Sequence, residues 1–540
     1  SSRTPESGRP SLLACLECRQ KHLKCDAVTP RCSRCVVRGL DCSYTPSRRG
    51  CVGRSRKRPL GADVLSPPRT GTTGSLTTSV SPNTLASQKD VPSPSRGPQF
   101  QGQASHPRPN VANGVSVNPA APYSHKMTVR SVADAPRPPQ SATSADHTEA
   151  HLLNLYYTHF HPTHPILLPR GHHGWHAYPN YLRVVVQFVG SHWAPSAPSA
   201  PFQATAAREL EATPTASPHT VQAYLLLAIV LHAGNELRNA SKALDKAIDH
   251  ALMLRMYDAQ SPTLRSSDPV VEESHRRTWW ELWITDGYCA ALNRQPSWRS
   301  DGCIISTPLP CEEPSYSQGI IPLDAPTPQQ FRERLFADDD QQYSSYCYRI
   351  EAMRIISRVL LVASSCDAHP DGVQAVDNAI AGWRHHLSDN KAGILDELGE
   401  VDQLMFQAHT FIQFASILLH FPRSELPLTF PSASEVACAR EIAPVTPTST
   451  QHAIKATAAS KEMSNLAALP VEHYSPFFIC GLVFSCMVQL SACYAHSGNC
   501  FEQHQDRVAL MTGVLRSLGR RWEIANCALA RLRPVANEIF

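Results

Sequence analysis

The first ten residues hold no apolar stretch, and Pro5 and Pro10 interrupt them, so the segment lacks the hydrophobic region of a secretory signal peptide. A reducing compartment is therefore expected, with the 18 cysteines present as thiols or metal thiolates rather than disulfides. Catalytic signatures are missing as well: no G-x-S-x-G elbow, no phosphate loop and no convincing carboxylate pair, so the chain does not read as an enzyme. Strand-like alternation is rare, which argues against a β-rich fold. No fixed period recurs, which excludes a solenoid. Heptads are absent after the N-terminal cysteines, where Pro46, Pro59, Pro67 and Pro68 would break a coiled coil. Uncharged runs of membrane-spanning length are scarce. The one at 476–495, PFFICGLVFSCMVQLSACYA, is diluted by Gly481, Ser485, Gln489 and Ser491 and is expected as a buried helix, with no membrane partner.

What the chain does have is unevenly distributed. Its 540 residues, 42% of them apolar, allow at least one large core beside smaller modules. The net charge of +4 hides a concentration: residues 15–58 carry twelve Lys and Arg against Glu17, Asp26 and Asp41, a local +9, leaving about −5 elsewhere. So focused a positive field suits a polyanion. Four regions follow: a disordered N-terminus (1–13), a cysteine-rich module (14–45), a Pro/Ser-rich linker without apolar periodicity (46–145), and a helical region (146–540).

The module is Cys15-x2-Cys18-x6-Cys25-x6-Cys32-x2-Cys35-x6-Cys42, in which the second half repeats the first. A two-residue gap lets both thiolates of a pair reach one tetrahedral zinc at about 2.3 Å. Two tetrahedral ions need eight ligand positions and six thiolates are offered, so two sulfurs must bridge. By the pseudo-symmetry these are Cys15 and Cys32. One zinc then takes Cys15, Cys18, Cys25 and Cys32, and the other takes Cys32, Cys35, Cys42 and Cys15. With every position filled by sulfur, no water can be activated; the two zinc ions are structural.

The string ACLECRQKHLKCDAVTPRCSRCVVRGLDCSY resembles the Zn2Cys6 binuclear cluster of fungal transcription factors, including the Lys before the third Cys, Asp26, and Pro30 between the halves. The resemblance implies that the helix after the second Cys reads double-stranded DNA at GC-rich, CGG-type sites. The base-facing positions would be Lys21 and His22, flanked by Arg19 and Lys24, with Arg31, Arg34 and Arg38 as phosphate contacts. His22 departs from the commoner Lys. The run RRGCVGRSRKRP, with Arg54, Arg56, Lys57 and Arg58, reads as a nuclear import signal or a phosphate clamp. The implied place is the nucleus. Homodimerisation or association with other transcription proteins stays open.

LLNLYYTHFHPTHPIL, LDKAIDHALMLRMY, ESHRRTWWELWITDGYCAALNRQPS and HYSPFFICGLVFSCMVQLSAC resemble the fungal transcription factor regulatory (middle homology) region, which implies an all-helical domain. The fold class is thus mostly α, a small zinc module joined by a disordered linker to a large helical domain. Helices are expected over 220–254, 273–292, 342–364, 373–387, 402–419, 451–469, 475–496 and 507–539, with Pro-rich surface loops at 306–328 and 422–447. His159, His161, His164, His172, His173 and His176 suggest a metal, but Pro162 and Pro165 make their stretch extended, so a structural corner is preferred. Trp279, Trp280 and Trp283 read as core, with an internal ion pair involving Arg276, Arg277 or Asp286; the stretch 336–348 reads as a solvated helix start. Function follows as RNA polymerase II transcription regulation, with secondary-metabolite pathways implied by resemblance. The alternative is a ligand-sensing or protein-interaction protein whose zinc cluster only supports a complex.

Overall fold

The structure is a computed structural model that describes residues 15–21, 25, 26, 28, 30–44, 141–195, 197–213, 215–336, 341–364, 370–396, 399–426, 450–469, 474–495 and 500–540. His22, Lys24, the run containing Arg54, Arg56, Lys57 and Arg58, the segment 1–13 and nearly all of the expected linker lie outside the described residues. Two units make up the chain, Ser1–Lys126 and Met127–Phe540.

In the first unit lie α1 (Leu16–Gln20) and α2 (Ser33–Val37). The second begins with α3 (Ser141–His159), α4 (Asn180–Ser191), α5 (Ser199–Glu211), α6 (Pro218–Ala233), α7 (Leu237–Met253) and α8 (Pro269–Leu292). After the short α9 (Glu313–Ser317) and α10 (Pro328–Glu333) come α11 (Ser345–Ser364), α12 (Pro370–His385) and α13 (Gln403–His420). The chain ends with α14 (Thr450–Ala467), α15 (Phe477–Ala495), α16 (Phe501–Leu518) and α17 (Glu523–Ile539). Among the described residues there is no strand, only an isolated antiparallel bridge between Leu395 and Val401. The chain is mostly α-helical.

Local chemistry sets the helix starts. Ser217 and Thr220 form a capping box on α6, with Pro218 in its first turn, where a missing N–H costs nothing. Asp268 accepts the Val270 N–H at 2.9 Å to open α8, and Asp402 accepts those of Leu404 and Met405 to open α13. The apolar stripe over 220–254 is two helices, because Gly234 ends α6 and Asn235 adopts a left-handed φ of 61°. The segment 507–539 is likewise split, Gly519 capping α16 and the buried Trp522 opening α17. Four helices are not expected from the sequence, the long α4 and α5 and the short α9 and α10. The Val184–Val185–Val186 run in α4 is a poor helix former, and packing on α3 and α6 overrides it. Gly190 lets α3 and α4 touch: a Cβ there would lie 2.1 Å from the Leu152 carbonyl oxygen. Inside the expected loop 306–328, α9 forms with Pro314 in its first turn.

The core is continuous, and α6, α8, α13 and α15 supply much of it. By length and composition alone α13, with the turn after it, and α15 could cross a membrane, but both are buried among neighbouring helices. The three tryptophans of α8 are fully buried. At their level Glu281, wholly enclosed, receives both Arg349 guanidinium nitrogens at 2.6 and 2.7 Å, the Tyr346 hydroxyl at 2.5 Å and His164 Nδ1 at 2.8 Å. Burial pushes the Glu281 pKa up, but Arg349 and the hydrogen bonds outweigh it and hold the carboxylate ionised, well below the usual range. Burial keeps His164 neutral, so its Nδ1–H donates to Glu281 and its Nε2 accepts from the Ser475 hydroxyl at 3.1 Å. A second enclosed pair joins Glu273 to Arg277, whose guanidinium also reaches Glu313 and stacks 3.8 Å over the Tyr316 ring. Arg276 joins Glu273 too, whereas Asp286 bonds instead to the Ser300 backbone and hydroxyl. Of the described residues of 336–348, Phe336 is exposed as expected, but Tyr343, Tyr346 and Tyr348 are buried, because Tyr346 is drawn in to Glu281 and Tyr343 packs edge-on to Phe331.

Four enclosed imidazoles add a pH dependence. Burial pushes His161 down to about 3 and His232, His275 and His420 each to about 4. In the unfolded chain they titrate near 6.5, so between about pH 6.5 and 4 the unfolded state binds more protons and stability falls as pH falls. Each contributes a loss of about 1.4 kcal/mol per pH unit across that window. Urea melts followed by helical circular dichroism should therefore have a lower midpoint at pH 5.5 than at pH 7. Equal midpoints would contradict neutral burial of these rings.

Candidate metal centre and nucleic-acid interface

Among its described residues the 15–44 unit buries almost nothing apolar besides cysteine, and Val28, Val36 and Val37 are exposed. Its buried cluster among the described residues is Cys15, Cys18, Cys32 and Cys35, with Cys25, Leu40, Cys42 and Tyr44 packed partly against it. Such a unit lacks the hydrophobic area to offset its own ordering entropy, and something else must tie it together.

The sulfurs fall into two groups of four whose atoms lie within 4.8 Å of one another: Cys15, Cys18, Cys25 and Cys32, and Cys15, Cys32, Cys35 and Cys42. The two groups share Cys15 and Cys32. Cys15 Sγ is 3.7 Å from both Cys32 Sγ and Cys35 Sγ, and Cys18 Sγ is 3.8 Å from Cys32 Sγ. A tetrahedron with metal–sulfur bonds of about 2.3 Å has an edge of about 3.8 Å, so these spacings fit zinc–thiolate ligation. The pseudo-symmetry extends to the backbone. Cys15 Sγ accepts the Cys18 N–H at 3.5 Å, and Cys32 Sγ accepts the Cys35 N–H at 3.4 Å. Each shared sulfur thus sits at the start of a short helix, facing N–H groups that favour a thiolate.

The rest of the unit holds this arrangement. Asp26 accepts the Ser33 N–H through both carboxylate oxygens, at 3.2 and 3.1 Å, and caps α2; the Ser33 hydrogen bond pulls the Asp26 pKa below its usual value. Gly39, at φ 63°, closes α2 in a Schellman turn, with Gly39 N–H to the Val36 carbonyl and Leu40 N–H to the Cys35 carbonyl. The Tyr44 hydroxyl donates to the Val28 carbonyl at 2.8 Å. The ties of Asp26 and Tyr44 span 7 and 16 residues, and cysteine spacing alone gives no signal for them.

Of the residues expected on DNA, Lys21 follows α1 directly, half exposed, with its ammonium 2.6 Å from Glu17. Arg19 lies in α1. Arg31 donates to the Leu40 carbonyl at 2.6 Å, so one of its nitrogens is committed to the fold. Arg38 caps the end of α2 and is exposed, and Arg34 is half-buried in its last turn. Lys21, Arg31 and Arg38 are therefore solvent-facing cations on a sulfur-centred unit.

The histidines do not assemble a comparable centre. His159 stacks on Trp193, His161 lies against Tyr156 and Tyr157, and His164 belongs to the Glu281 network; His176 is exposed. His172, His173 and Asp268 approach one another closely. Yet His172 Nδ1 accepts the Gly174 N–H and its Nε2 faces Asp268 at 3.0 Å, so both ring nitrogens are engaged in fixing a turn.

Burial pushes the Cys15, Cys18 and Cys35 thiols up, Cys35 to about 12. Burial also raises Cys42, but the Cys32 N–H and neighbouring sulfurs outweigh it and bring that thiol down. Zinc must displace the thiol protons, so protons compete with metal. Release of zinc to a chromogenic chelator should be faster and more complete at pH 5.5 than at pH 7.5, with loss of protease resistance in the 15–44 unit. Release independent of pH would contradict thiolate ligation.

Comparison with known proteins agrees with this geometry. The fungal Zn(2)-Cys(6) binuclear cluster domain matches residues 13–51, and the fungal specific transcription factor domain matches residues 179–385. The C6 finger domain transcription factor iacK of Pestalotiopsis fici is 28% identical over 99% of this chain and 81% of its own length. The citrinin biosynthesis transcriptional activator mrl3 of Monascus ruber is 24% identical over 58% of this chain and 66% of its own. The citrinin biosynthesis transcriptional activator ctnR of Monascus purpureus is also 24% identical, over 58% of each. No solved structure matches the chain significantly. The chain thus joins a two-zinc, six-cysteine DNA-binding domain to a fungal specific transcription factor domain, the architecture of fungal Zn2Cys6 transcription factors.

Proposed function

We propose that Cys15, Cys18, Cys25 and Cys32 hold one zinc, that Cys32, Cys35, Cys42 and Cys15 hold the other, and that the module so formed reads GC-rich, CGG-type DNA. The observation that carries this reading is the sharing of Cys15 and Cys32 between the two sulfur groups. Lys21 and His22 face the bases; Lys21 can reach the guanine O6 and N7 acceptors once it leaves Glu17. Arg19, Lys24, Arg31, Arg34 and Arg38 hold phosphates and set the register. The chain acts in the nucleus, with Arg54, Arg56, Lys57 and Arg58 as its import signal, and regulates rather than catalyses. The names of the two Monascus relatives support a biosynthetic gene set as its target. Dimerisation through the helical unit would place two such sites at a fixed spacing.

The test is selection of duplexes from a random pool by the full chain, with zinc and with chelator. A GC-rich motif should be enriched and should vanish on chelation; one copy indicates a monomer and two spaced copies a dimer. Lys21→Ala should weaken binding to the selected site by about 1–3 kcal/mol and relax its base preference, whereas Arg38→Ala should weaken all sequences alike and lower the salt slope by about one. No enrichment with both zincs bound would overturn the DNA-reading assignment and favour a module that supports a protein complex.

A further inference from the structure

The helical unit has a half-open cleft of about 900 Å³ lined by α6, α7, α8, α15 and α17, a volume typical of sites for drug-sized molecules. Its lining is largely apolar, with Ile229, Leu244, Phe477 and Val483 among its residues. One polar atom in it is conspicuous. Thr285 lines the cavity and is 2% exposed, yet its hydroxyl makes no hydrogen bond. An unpaired buried hydroxyl costs about 1–3 kcal/mol, and a ligand acceptor would recover it. His232, also in the lining, is kept neutral by burial and so presents no interior charge.

Charge is confined to three other lining residues, Glu236, Arg238 and Arg531. The Glu236 carboxylate already accepts from the Gln203 and Asn239 amides at 2.7 and 2.8 Å. Neither arginine has an ion-pair partner among the described residues. The thiols of Cys289 and Cys527 also line the space; burial pushes both up, Cys289 to about 12, so they stay protonated and act as polarizable wall rather than as nucleophiles.

We infer that this cavity is a binding site for an amphipathic organic acid, its apolar body against Ile229, Leu244, Phe477 and Val483, an acceptor oxygen on the Thr285 hydroxyl, and its carboxylate toward Arg238 and Arg531. Such a molecule would touch all five helices, so its binding stabilises the helical unit increasingly as ligand concentration rises above the dissociation constant. The inference is independent of the DNA-reading assignment, and no DNA enters its test.

The probes are 4-(pyren-1-yl)butanoate and its neutral counterpart 4-(pyren-1-yl)butanol, titrated fluorimetrically into the full chain. One acid molecule should bind per chain, at least tenfold tighter than the alcohol. Arg531→Gln should bring the acid to the alcohol's affinity and leave the alcohol unchanged. Ser241→Trp on α7 and Cys527→Trp on α17 fill the cleft from two of its helices, at an exposed and a half-buried position. Each should weaken both probes tenfold or more while keeping the wild-type helical melt. Absence of saturable one-to-one binding, or wild-type affinity in both tryptophan variants, overturns the site. An alcohol that binds as tightly as the acid overturns the organic-acid assignment.

Discussion

Zinc–thiolate bonding is the interaction on which the DNA-binding unit depends, because among its described residues there is no other interior. Four of its six cysteines are the buried residues among those described, and the two sulfurs common to both groups sit where each half of the pseudo-repeat begins. Among the described residues of 15–44 the other ties are braces around this centre: Asp26 and Gly39 hold the ends of α2, and Arg31 and Tyr44 fasten loops to carbonyls. With its interior filled by metal and sulfur, the unit can leave its cations on the surface. That is the arrangement a small DNA-binding module needs.

The helical unit solves the opposite problem. It has ample apolar surface, and its unusual feature is charge inside. Glu281 and Arg349 are both fully enclosed and doubly hydrogen-bonded, with His164 and Tyr346 using the remaining acceptor capacity of the carboxylate. A satisfied buried pair contributes little net stability, but removing one partner costs about 3–5 kcal/mol, so the network specifies how α8, α11 and the 159–166 corner meet. The same helix, α8, carries the tryptophan core on one level and Thr285 on the cavity wall on another.

The spacing of six cysteines was enough to anticipate two sulfur groups with two members in common, since ligand counting needs no tertiary information. Trp279, Trp280 and Trp283 were legible as core from their helical spacing, and the uncharged run 476–495 as a buried helix from its diluting polar residues. Other features were not legible. The Glu281–Arg349 pair spans 68 residues, and no periodicity links positions so far apart. The division into α6 and α7 turns on one asparagine at positive φ, and α4 on tertiary packing that overrides a β-branched run. Lys21 was readable as a surface cation, but its pairing with Glu17 one turn back was not. The cavity needs five helices and has no sequence signature at all.

The measurement that bears most directly on the account is the zinc X-ray absorption spectrum of the full-length protein. Shared thiolates predict two zinc ions per chain, each with four sulfur neighbours and no nitrogen or oxygen, and a second zinc close enough for both to bind the same two sulfurs. A single zinc per chain, a light-atom ligand, or two zincs without a metal neighbour would contradict it.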